Sequence, residues 1–207
     1  MKTDMATLYA RYPALARVER RNDHRLQARL ALVNRLPKRS RGAEIGVFTG
    51  VFTEFLIANV KPVEFWAVDA WDIHGGTAWE PPKGASWSAY VDHGNLTYEA
   101  ARAAATARAG LHTVVTAESV AWLDSRPEGS LDWVYLDTSH HYDATLAELA
   151  AAARVIAHGG LITGDDAWEG DAGPNFGVLT AIRDFTRSHP WEVSYLDRGQ
   201  FVLRRDT

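Results

Sequence analysis

The pattern of apolar and polar positions divides the chain at about residue 40. Residues 5–40 carry apolar side chains at helical spacing, for example Leu26, Leu30 and Val33. Pro37 and the basic run that follows it then interrupt the pattern, and we interpret that run as a solvated linker. The sequence predicts one domain, in which an N-terminal helical extension (1–40) precedes a core (41–207).

The core alternates short apolar runs with helical segments, and this alternation is typical of a parallel sheet with helices on both faces. Two final strand-like runs flank Asp197-Arg198-Gly199, which predicts an antiparallel hairpin. The expected fold is therefore α/β, with a mostly parallel seven-stranded sheet and a C-terminal antiparallel hairpin. The predicted strands are 43–47, 64–68, 113–116, 131–136, 161–163, 191–196 and 200–203, and the predicted helices are 52–59, 96–109, 119–125, 144–157 and 178–188.

Composition excludes several classes of protein. The 207 residues include no cysteine, so a disulfide scaffold, a thiol nucleophile and a cysteine-ligated metal site are ruled out. The formal net charge of -4 argues against broad nucleic-acid binding, which needs a basic surface. No apolar run approaches the roughly 18 to 20 residues that span a bilayer. We expect a soluble, cytoplasmic protein without a nucleic-acid or membrane partner.

The first two strands end in residues suited to a nucleoside. Gly46 allows a ligand to approach the backbone, and Gly50 allows a helix to begin directly after the turn. Asp69 ends the second strand, where a carboxylate accepts hydrogen bonds from ribose hydroxyls. Phe48 replaces the second glycine of the dinucleotide fingerprint and crowds the position of a pyrophosphate. The turn favours S-adenosylmethionine, and a tight turn without a ligand is the alternative.

The third strand ends in a short polar segment. Glu118 and Ser119 are candidates for contacts with an adenine edge, and Ser119 is also a candidate N-cap of the next helix.

Three aspartates follow the fourth and fifth strands, at Asp137, Asp165 and Asp166. Neighbouring parallel strands place all three at one sheet edge, where their repulsion calls for a cation. Oxygen ligands favour Mg²⁺ or Ca²⁺ over zinc, and a loop pair at 165–166 without a metal is the alternative. His140 and His141 lie beside the acids, and the spacing from Asp137 favours His140 as a general base.

These motifs together resemble the class I S-adenosylmethionine-dependent methyltransferases. The stretches that carry the resemblance are E-I-G-V-F-T-G, T-A-E-S, L-D-T-S-H-H-Y and G-G-L-I-T-G-D-D-A-W, and the matching part runs from about 43 to 203. Within that class the chain is similar to the metal-dependent O-methyltransferases that act on catechols and on macrolide or aminocoumarin sugars. The resemblance implies a Rossmann-like methyltransferase fold and S-adenosyl-L-methionine as cofactor.

The resemblance also implies roles for individual residues. Glu44, Gly46 and Gly50 would line the methionine end of the cofactor, Asp69 the ribose, and Glu118 and Ser119 the adenine side. Asp137, Asp165 and Asp166 would hold Mg²⁺, with Asp137 also serving the cofactor and catalysis. His140 falls where the catechol enzymes have a lysine base. The acceptor would be a small molecule with a hydroxyl group.

The pocket and the assembly leave more alternatives open. Trp79, in a long aromatic insert, is either part of a lid or a packing residue, and Trp168 and His141 are candidate pocket residues. Trp66, Trp122 and Trp133 are expected in the core. The N-terminal helices are candidates for homo-oligomer contacts. A metal-independent N- or O-methyltransferase and a non-catalytic nucleoside-binding protein are the alternative functions.

Overall fold

The computed structural model describes residues 5–18, 23–71, 98–169 and 177–206. The helices of this part are α1 (Met5–Arg11), α2 (Pro13–Val18), α3 (Asp23–Val33), α4 (Val51–Val60), α5 (Tyr98–Ala109), α6 (Ser119–Asp124), α7 (Tyr142–Val155) and α8 (Val178–Ser188). The strands are β1 (Arg41–Ile45), β2 (Glu64–Asp69), β3 (Thr113–Thr116), β4 (Leu131–Leu136), β5 (Ile156–Ala167), β6 (Trp191–Asp197) and β7 (Gly199–Arg205). Most of the aromatic insert, including Trp79, lies outside the described residues.

The strands form a seven-stranded sheet in the order β3-β2-β1-β4-β5-β7-β6. β1 pairs in parallel with β2 and β4, and β4 pairs in parallel with β5. β7 is inserted antiparallel between β5 and β6. This architecture confirms the predicted fold class, including the C-terminal hairpin. The strand order reverses between β1 and β4, so the carboxyl ends of these two strands form the crevice where ligands of such sheets bind.

The hairpin turn uses backbone conformations that few residues adopt. Arg198 and Gly199 have φ angles of 50° and 82°, while Asp197 and Gln200 close the pair. Positive φ at two central residues matches the twist of the flanking strands, so a tight connection suffices.

The sheet separates two layers of apolar side chains. On one face, α3, α4 and α5 pack against Phe65 and Trp133, and α1 and α2 complete this layer. On the other face, α6, α7 and α8 cover Val134 and Ile162. Trp122 and Trp133 are buried and Trp66 is packed against the core, as the sequence predicts.

The described part of the N-terminal extension contains α1, α2 and α3, as the sequence predicts for this helical segment. Pro13 begins α2 at the first helical position, where its missing N–H costs no hydrogen bond. α3 contributes the most to the core, with Leu26, Leu32 and Val33 at most 1% exposed. Among the described residues, no helix has the length and apolar character required to cross a membrane.

Candidate active site

The turn between β1 and α4 depends on two glycines that sequence reasoning assigned to a ligand. Gly46 has a φ of 89°, and a Cβ there would lie 1.9 Å from the carbonyl oxygen of Asp137. Gly50 has a φ of 74°, and a Cβ there would lie 2.8 Å from the Cα of Ala105 in α5. The chain itself therefore requires both glycines, because its backbone passes closest at these points.

Glu44 lies at the base of this turn and is 2% exposed. The hydroxyl of Thr53 in α4 donates a hydrogen bond to its carboxylate. Burial raises the pKa of Glu44 well above its usual value, and the nearby Asp137 charge adds to the effect. A buried acid in this position is suited to a ligand that brings a positive charge.

Asp69 organises the same turn from the end of β2. Its Oδ2 accepts hydrogen bonds from the backbone N–H groups of Val47 and Phe48, each at 2.7 Å. Its Oδ1 accepts one from the N–H of Trp71 at 2.8 Å. Each carboxylate oxygen has two acceptor directions, so Oδ1 retains capacity for a further donor such as a ribose hydroxyl.

Thr116 is a further candidate site residue, in the polar segment at the end of the third strand. It pairs with Asp69 at the end of β3, and its buried Oγ1 has no hydrogen-bond partner among the described residues. Buried hydroxyls are normally hydrogen-bonded, so an orphaned one at this edge is consistent with a polar ligand. Its position at a strand end, in the T-A-E-S segment, is the signal that could have identified it.

The predicted adenine side has a different capping arrangement from the one expected. Glu118 takes the N-cap position of α6 without a side-chain cap bond, and Ser119 is the first residue of the helix. The Ser119 side chain hydrogen-bonds the buried carboxylate of Glu148 in α7.

Asp137, His140 and Asp166 form a cluster at the carboxyl ends of β4 and β5. His140 Nε2 lies 3.2 Å from Asp137 Oδ1 and 3.2 Å from Asp166 Oδ2. One ligand atom from each residue falls within 4.8 Å of the others, a spacing that suits a metal ion. The structure thus brings together two of the predicted metal ligands and the predicted base.

The charges of the cluster shift the pKa values of its members. Partial burial acts to lower the pKa of His140, but the hydrogen bond with Asp137 and the charges of the aspartates outweigh it and raise the pKa to about 9. Burial and repulsion from Asp165 and Asp137 raise the pKa of Asp166 above its usual value. The imidazolium and the carboxylates therefore stabilise one another.

Two members of the cluster have unusual backbone conformations. His140 and Asp166 have φ angles of 64° and 59°, in the left-handed region that favours glycine. Local hydrogen bonds hold both residues. The N–H of Gly177 donates to the carbonyl of His140 at 2.8 Å, and the N–H of Asp166 donates to the Asp165 carboxylate at 2.7 Å. Strain of this kind, held by the surrounding structure, is concentrated at functional sites.

Asp165 does not join the cluster, in contrast to the prediction. The register of β5 is irregular between Gly164 and Ala167, where Asp166 has a left-handed backbone, and the carboxylate of Asp165 is bound by other side chains. Asp165 faces α3, where Arg25 lies 2.8 Å away and Arg29 donates a second bond. Gln200 of β7 donates to the other carboxylate oxygen. Burial acts to raise the pKa of Asp165, but the charges of Arg29 and Arg25 outweigh it and lower the pKa.

Arg25 and Arg29 are further residues of this region that the predicted set omits. Arg29 is 5% exposed, and its guanidinium lies over the ring of Phe52. The signal was present in the sequence, since Arg29 occupies the apolar stripe of α3 between Leu26 and Val33. A buried arginine on such a stripe requires a carboxylate partner.

The predicted pocket residues have separate locations. Trp168 lies beside the cluster, where its Nε1 donates to Asp166 Oδ1 at 2.8 Å and Arg25 lies over its ring. His141 is exposed and occupies the N-cap position of α7, so its side chain is not part of the cluster.

Comparisons with known proteins identify the family of the chain. The family model described as "Methyltransferase domain" matches residues 43–167. A comparison with curated protein sequences finds no match.

Solved structures resemble the chain at low sequence identity. Cofactor-bound Rv0187 from MTB is 17% identical, with 99% of this chain and 91% of that chain covered and a TM-score of 0.56. The O-methyltransferase from Bacillus cereus in complex with SAH is 17% identical, with 87% and 79% covered and a TM-score of 0.53. The ribosomal protein L11 methylase from Lactobacillus delbrueckii subsp. bulgaricus is 10% identical, with 87% and 77% covered and a TM-score of 0.54.

At these identities the solved structures establish the fold. The family model extends from within β1 to the end of β5, and this range includes Asp137, His140 and Asp166. The chain belongs to the methyltransferase domain family, and this membership supports S-adenosylmethionine-dependent methyl transfer as its chemistry.

Proposed function

We propose that the protein is an S-adenosylmethionine-dependent O-methyltransferase that acts on a hydroxyl group of a small molecule, with a divalent cation. The observation that carries the proposal is the cluster of Asp137, His140 and Asp166 at the sheet edge that also holds Glu44, Asp69 and Thr116. A proton acceptor and candidate metal ligands thus lie next to the residues suited to a nucleoside.

The cofactor would supply a methyl group activated by its sulfonium charge. Glu44 is suited to the amine of its methionine part, because a buried carboxylate gains most from a positively charged partner. Asp69 Oδ1 and the orphaned hydroxyl of Thr116 are suited to the ribose and the adenine side. Asp137 connects the two ends of the site, since its carbonyl oxygen lies against Gly46 and its carboxylate lies in the cluster.

The donor set fits a divalent cation, although it differs from the three carboxylates that sequence reasoning assigned. Asp137 and Asp166 each offer a carboxylate oxygen and His140 offers an imidazole nitrogen. Oxygen donors suit Mg²⁺, and the imidazole extends the choice to Mn²⁺ and similar ions. A cation held by the two aspartates would lower the pKa of a hydroxyl that binds it.

His140 is the proposed general base. Its Nε2 faces Asp137 and Asp166, whose charges raise the pKa of His140 to about 9 and keep it protonated near neutral pH. A cation held by the two aspartates would offset those charges and lower this pKa, so that the free Nε2, which then does not ligate the ion, can accept the proton of the acceptor hydroxyl. Trp168, fixed by its hydrogen bond to Asp166, would border the acceptor and align it for transfer.

Calorimetry and a methylation assay test this function. We expect S-adenosylhomocysteine to bind the wild-type protein, and Mg²⁺ or Mn²⁺ to bind it but not the Asp137→Asn or Asp166→Asn variant. Asp197→Asn, at the exposed hairpin, is the matched control. A panel of catechols, sugars, a ribosomal protein extract and RNA with radiolabelled cofactor identifies the acceptor, and a product confined to protein or RNA would overturn the small-molecule assignment.

A metal-independent methyltransferase is the second candidate, and the charge balance of the site favours it. Arg25, Arg29 and a protonated His140 face the three aspartates, so three positive charges already oppose three negative ones. Full turnover in excess EDTA would establish this candidate. Cofactor binding without turnover on any acceptor would favour a non-catalytic nucleoside-binding protein.

A further inference from the structure

Glu148 is a buried charged residue that the proposed chemistry does not use. It lies on the inner side of α7 and is 2% exposed. Burial raises the pKa of Glu148, so the fold tolerates its carboxylate at a cost. Buried polar groups are normally hydrogen-bonded, so the partners of this carboxylate indicate what it does in the fold.

The hydrogen bonds of Glu148 reach two separate turns. Its Oε2 accepts a bond of 2.9 Å from the hydroxyl of Thr138, which lies in the turn between β4 and α7. The side chain of Ser119, at the start of α6, also lies within hydrogen-bonding reach of this carboxylate and acts to lower its pKa. The first turn leads to His140 and the second borders the predicted adenine side.

Glu148 also lies directly behind the cluster. A cavity of about 10 Å³ beneath His140 is lined by Thr138, Thr145, Glu148 and Asp165. The positive charge of His140 acts on Glu148 across this region. The carboxylate therefore lies behind the proposed site and supports residues on both sides of it.

We propose that Glu148 is a positioning residue that fixes the turn of His140 to the start of α6, so that the base and the adenine side keep a constant separation. The inference rests on the proposed function for its use in catalysis, and on the structure alone for the two hydrogen bonds. It adds to the site a residue that touches neither substrate nor cofactor.

The proposal predicts that two properties change together when the carboxylate is lost. Glu148→Met preserves the side-chain length and removes both hydrogen bonds. We expect it to weaken S-adenosylhomocysteine binding by about tenfold, the effect of about one charge-assisted hydrogen bond. We also expect a changed ring ¹⁵N NMR spectrum of His140 in the protein without any ligand. Glu148→Gln retains hydrogen bonds to both hydroxyls and should rescue most of both effects.

Two substitutions that each remove one hydroxyl group test the contacts of Glu148 with Thr138 and with Ser119 separately. Thr138→Val should change the His140 spectrum more than the cofactor affinity, and Ser119→Ala should do the reverse. The spectrum of His140→Gln assigns the ring signals, and Glu128→Met, at an exposed glutamate between α6 and β4, controls for loss of charge. Circular dichroism checks that each variant is folded, and the two hydroxyl variants keep the test decisive if Glu148→Met does not fold.

The outcomes distinguish this inference from the proposed function. Wild-type affinity and a wild-type His140 spectrum in a folded Glu148→Met variant would overturn the inference. Wild-type values for both Thr138→Val and Ser119→Ala would overturn it as well. A wild-type protein that does not bind S-adenosylhomocysteine would contradict the proposed function, and the His140 spectrum would still decide the role of Glu148.

Discussion

At the scale of single residues, the proposed site contains side chains whose burial disfavours their charged form. Glu44 is the clearest example, since its burial raises its pKa well above the usual value and the charge of Asp137 adds to the effect. Natural active sites commonly retain such costs, because the same group stabilises a bound ligand.

Glu44→Gln should therefore raise stability and weaken ligand binding. The raised pKa of Glu44 means that the protonated form stabilises the fold fully below the unfolded pKa of about 4.3. That contribution is lost as the pH rises through the folded pKa. Glutamine does not titrate, so its advantage in Tm should be absent near pH 4 and grow with pH, by about 2–4 °C for each kcal/mol.

Thermal unfolding of both proteins between pH 4 and 8 measures this difference, with calorimetry of S-adenosylhomocysteine binding beside it. A Tm difference that is constant over the pH range would refute the stability argument. Thr53→Val is a useful comparison, because it removes the hydrogen bond to Glu44 and leaves the carboxylate in place.

The residues of the site could be predicted from sequence where the strand topology alone determines their position. Asp137 and Asp166 follow neighbouring parallel strands, so their proximity follows from the alternation of strands and helices. Asp165 could not be placed by that argument, because its direction depends on the register of β5 and on which face α3 covers. The partners of Asp165 come from residues more than 130 positions earlier in the chain.

At the scale of elements, α3 is attached to β5 by buried charges as well as by apolar packing. Arg29 and Asp165 are 6% and 0% exposed at the side chain, so each depends on the other for compensation. Removing one member of a buried pair is costly, because the remaining charge lacks a partner and is not hydrated.

Arg29→Met should destabilise the protein by about 3 kcal/mol, the usual range for breaking a buried ion pair. Asp165→Asn should have a cost of similar origin. The double variant should be more stable than the sum of the two single effects predicts, since it removes both charges together.

Urea denaturation of the four proteins of this cycle provides the test. Arg35→Met is the matched control, because Arg35 is exposed and lies over Tyr195 without a buried carboxylate partner. Its cost should remain below about 1 kcal/mol. Strict additivity of Arg29→Met and Asp165→Asn would show that the two charges are not coupled.

The elements themselves follow closely from the sequence pattern. The bounds of β3 and β4 and of α8 coincide with the predictions, since apolar runs and turn signals delimit them sharply. β5 is much longer than its predicted run, 161–163, because it begins at Ile156 and because Gly164 and Ala167 still pair with β7 on either side of the two aspartates. A search for apolar runs does not detect polar strand residues whose partners come from a distant part of the chain.

At the scale of the whole molecule, the N-terminal extension is part of the core that supports the site. Leu26, Leu32 and Val33 are buried in the same layer as Phe65 and Trp133. α3 also supplies the two arginines that face Asp165. The sequence pattern predicts the helices of this extension, but the charge compensation they provide is visible only in three dimensions.

A chain that lacks residues 1–36 should therefore lose cooperative unfolding and bind S-adenosylhomocysteine weakly. Each buried leucine contributes about 1.5–3 kcal/mol by removal from water, and the deletion also leaves Asp165 without Arg25 and Arg29. Thermal unfolding followed by circular dichroism measures the first effect. A chain that lacks only residues 1–4 is the control, and a truncated core with wild-type Tm would show that α3 is dispensable.

The carboxylate of Asp165 joins the first and last parts of the chain, and this has a consequence for folding during synthesis. Arg29 is translated early, Asp165 136 positions later, and Gln200 a further 35 positions later. Contacts of such high sequence separation form late, since their loop must close first. During synthesis the arginines of α3 therefore lack their carboxylate partner while the first four strands are made. The contacts of Asp165 are completed only when β7 has been made and pairs between β5 and β6.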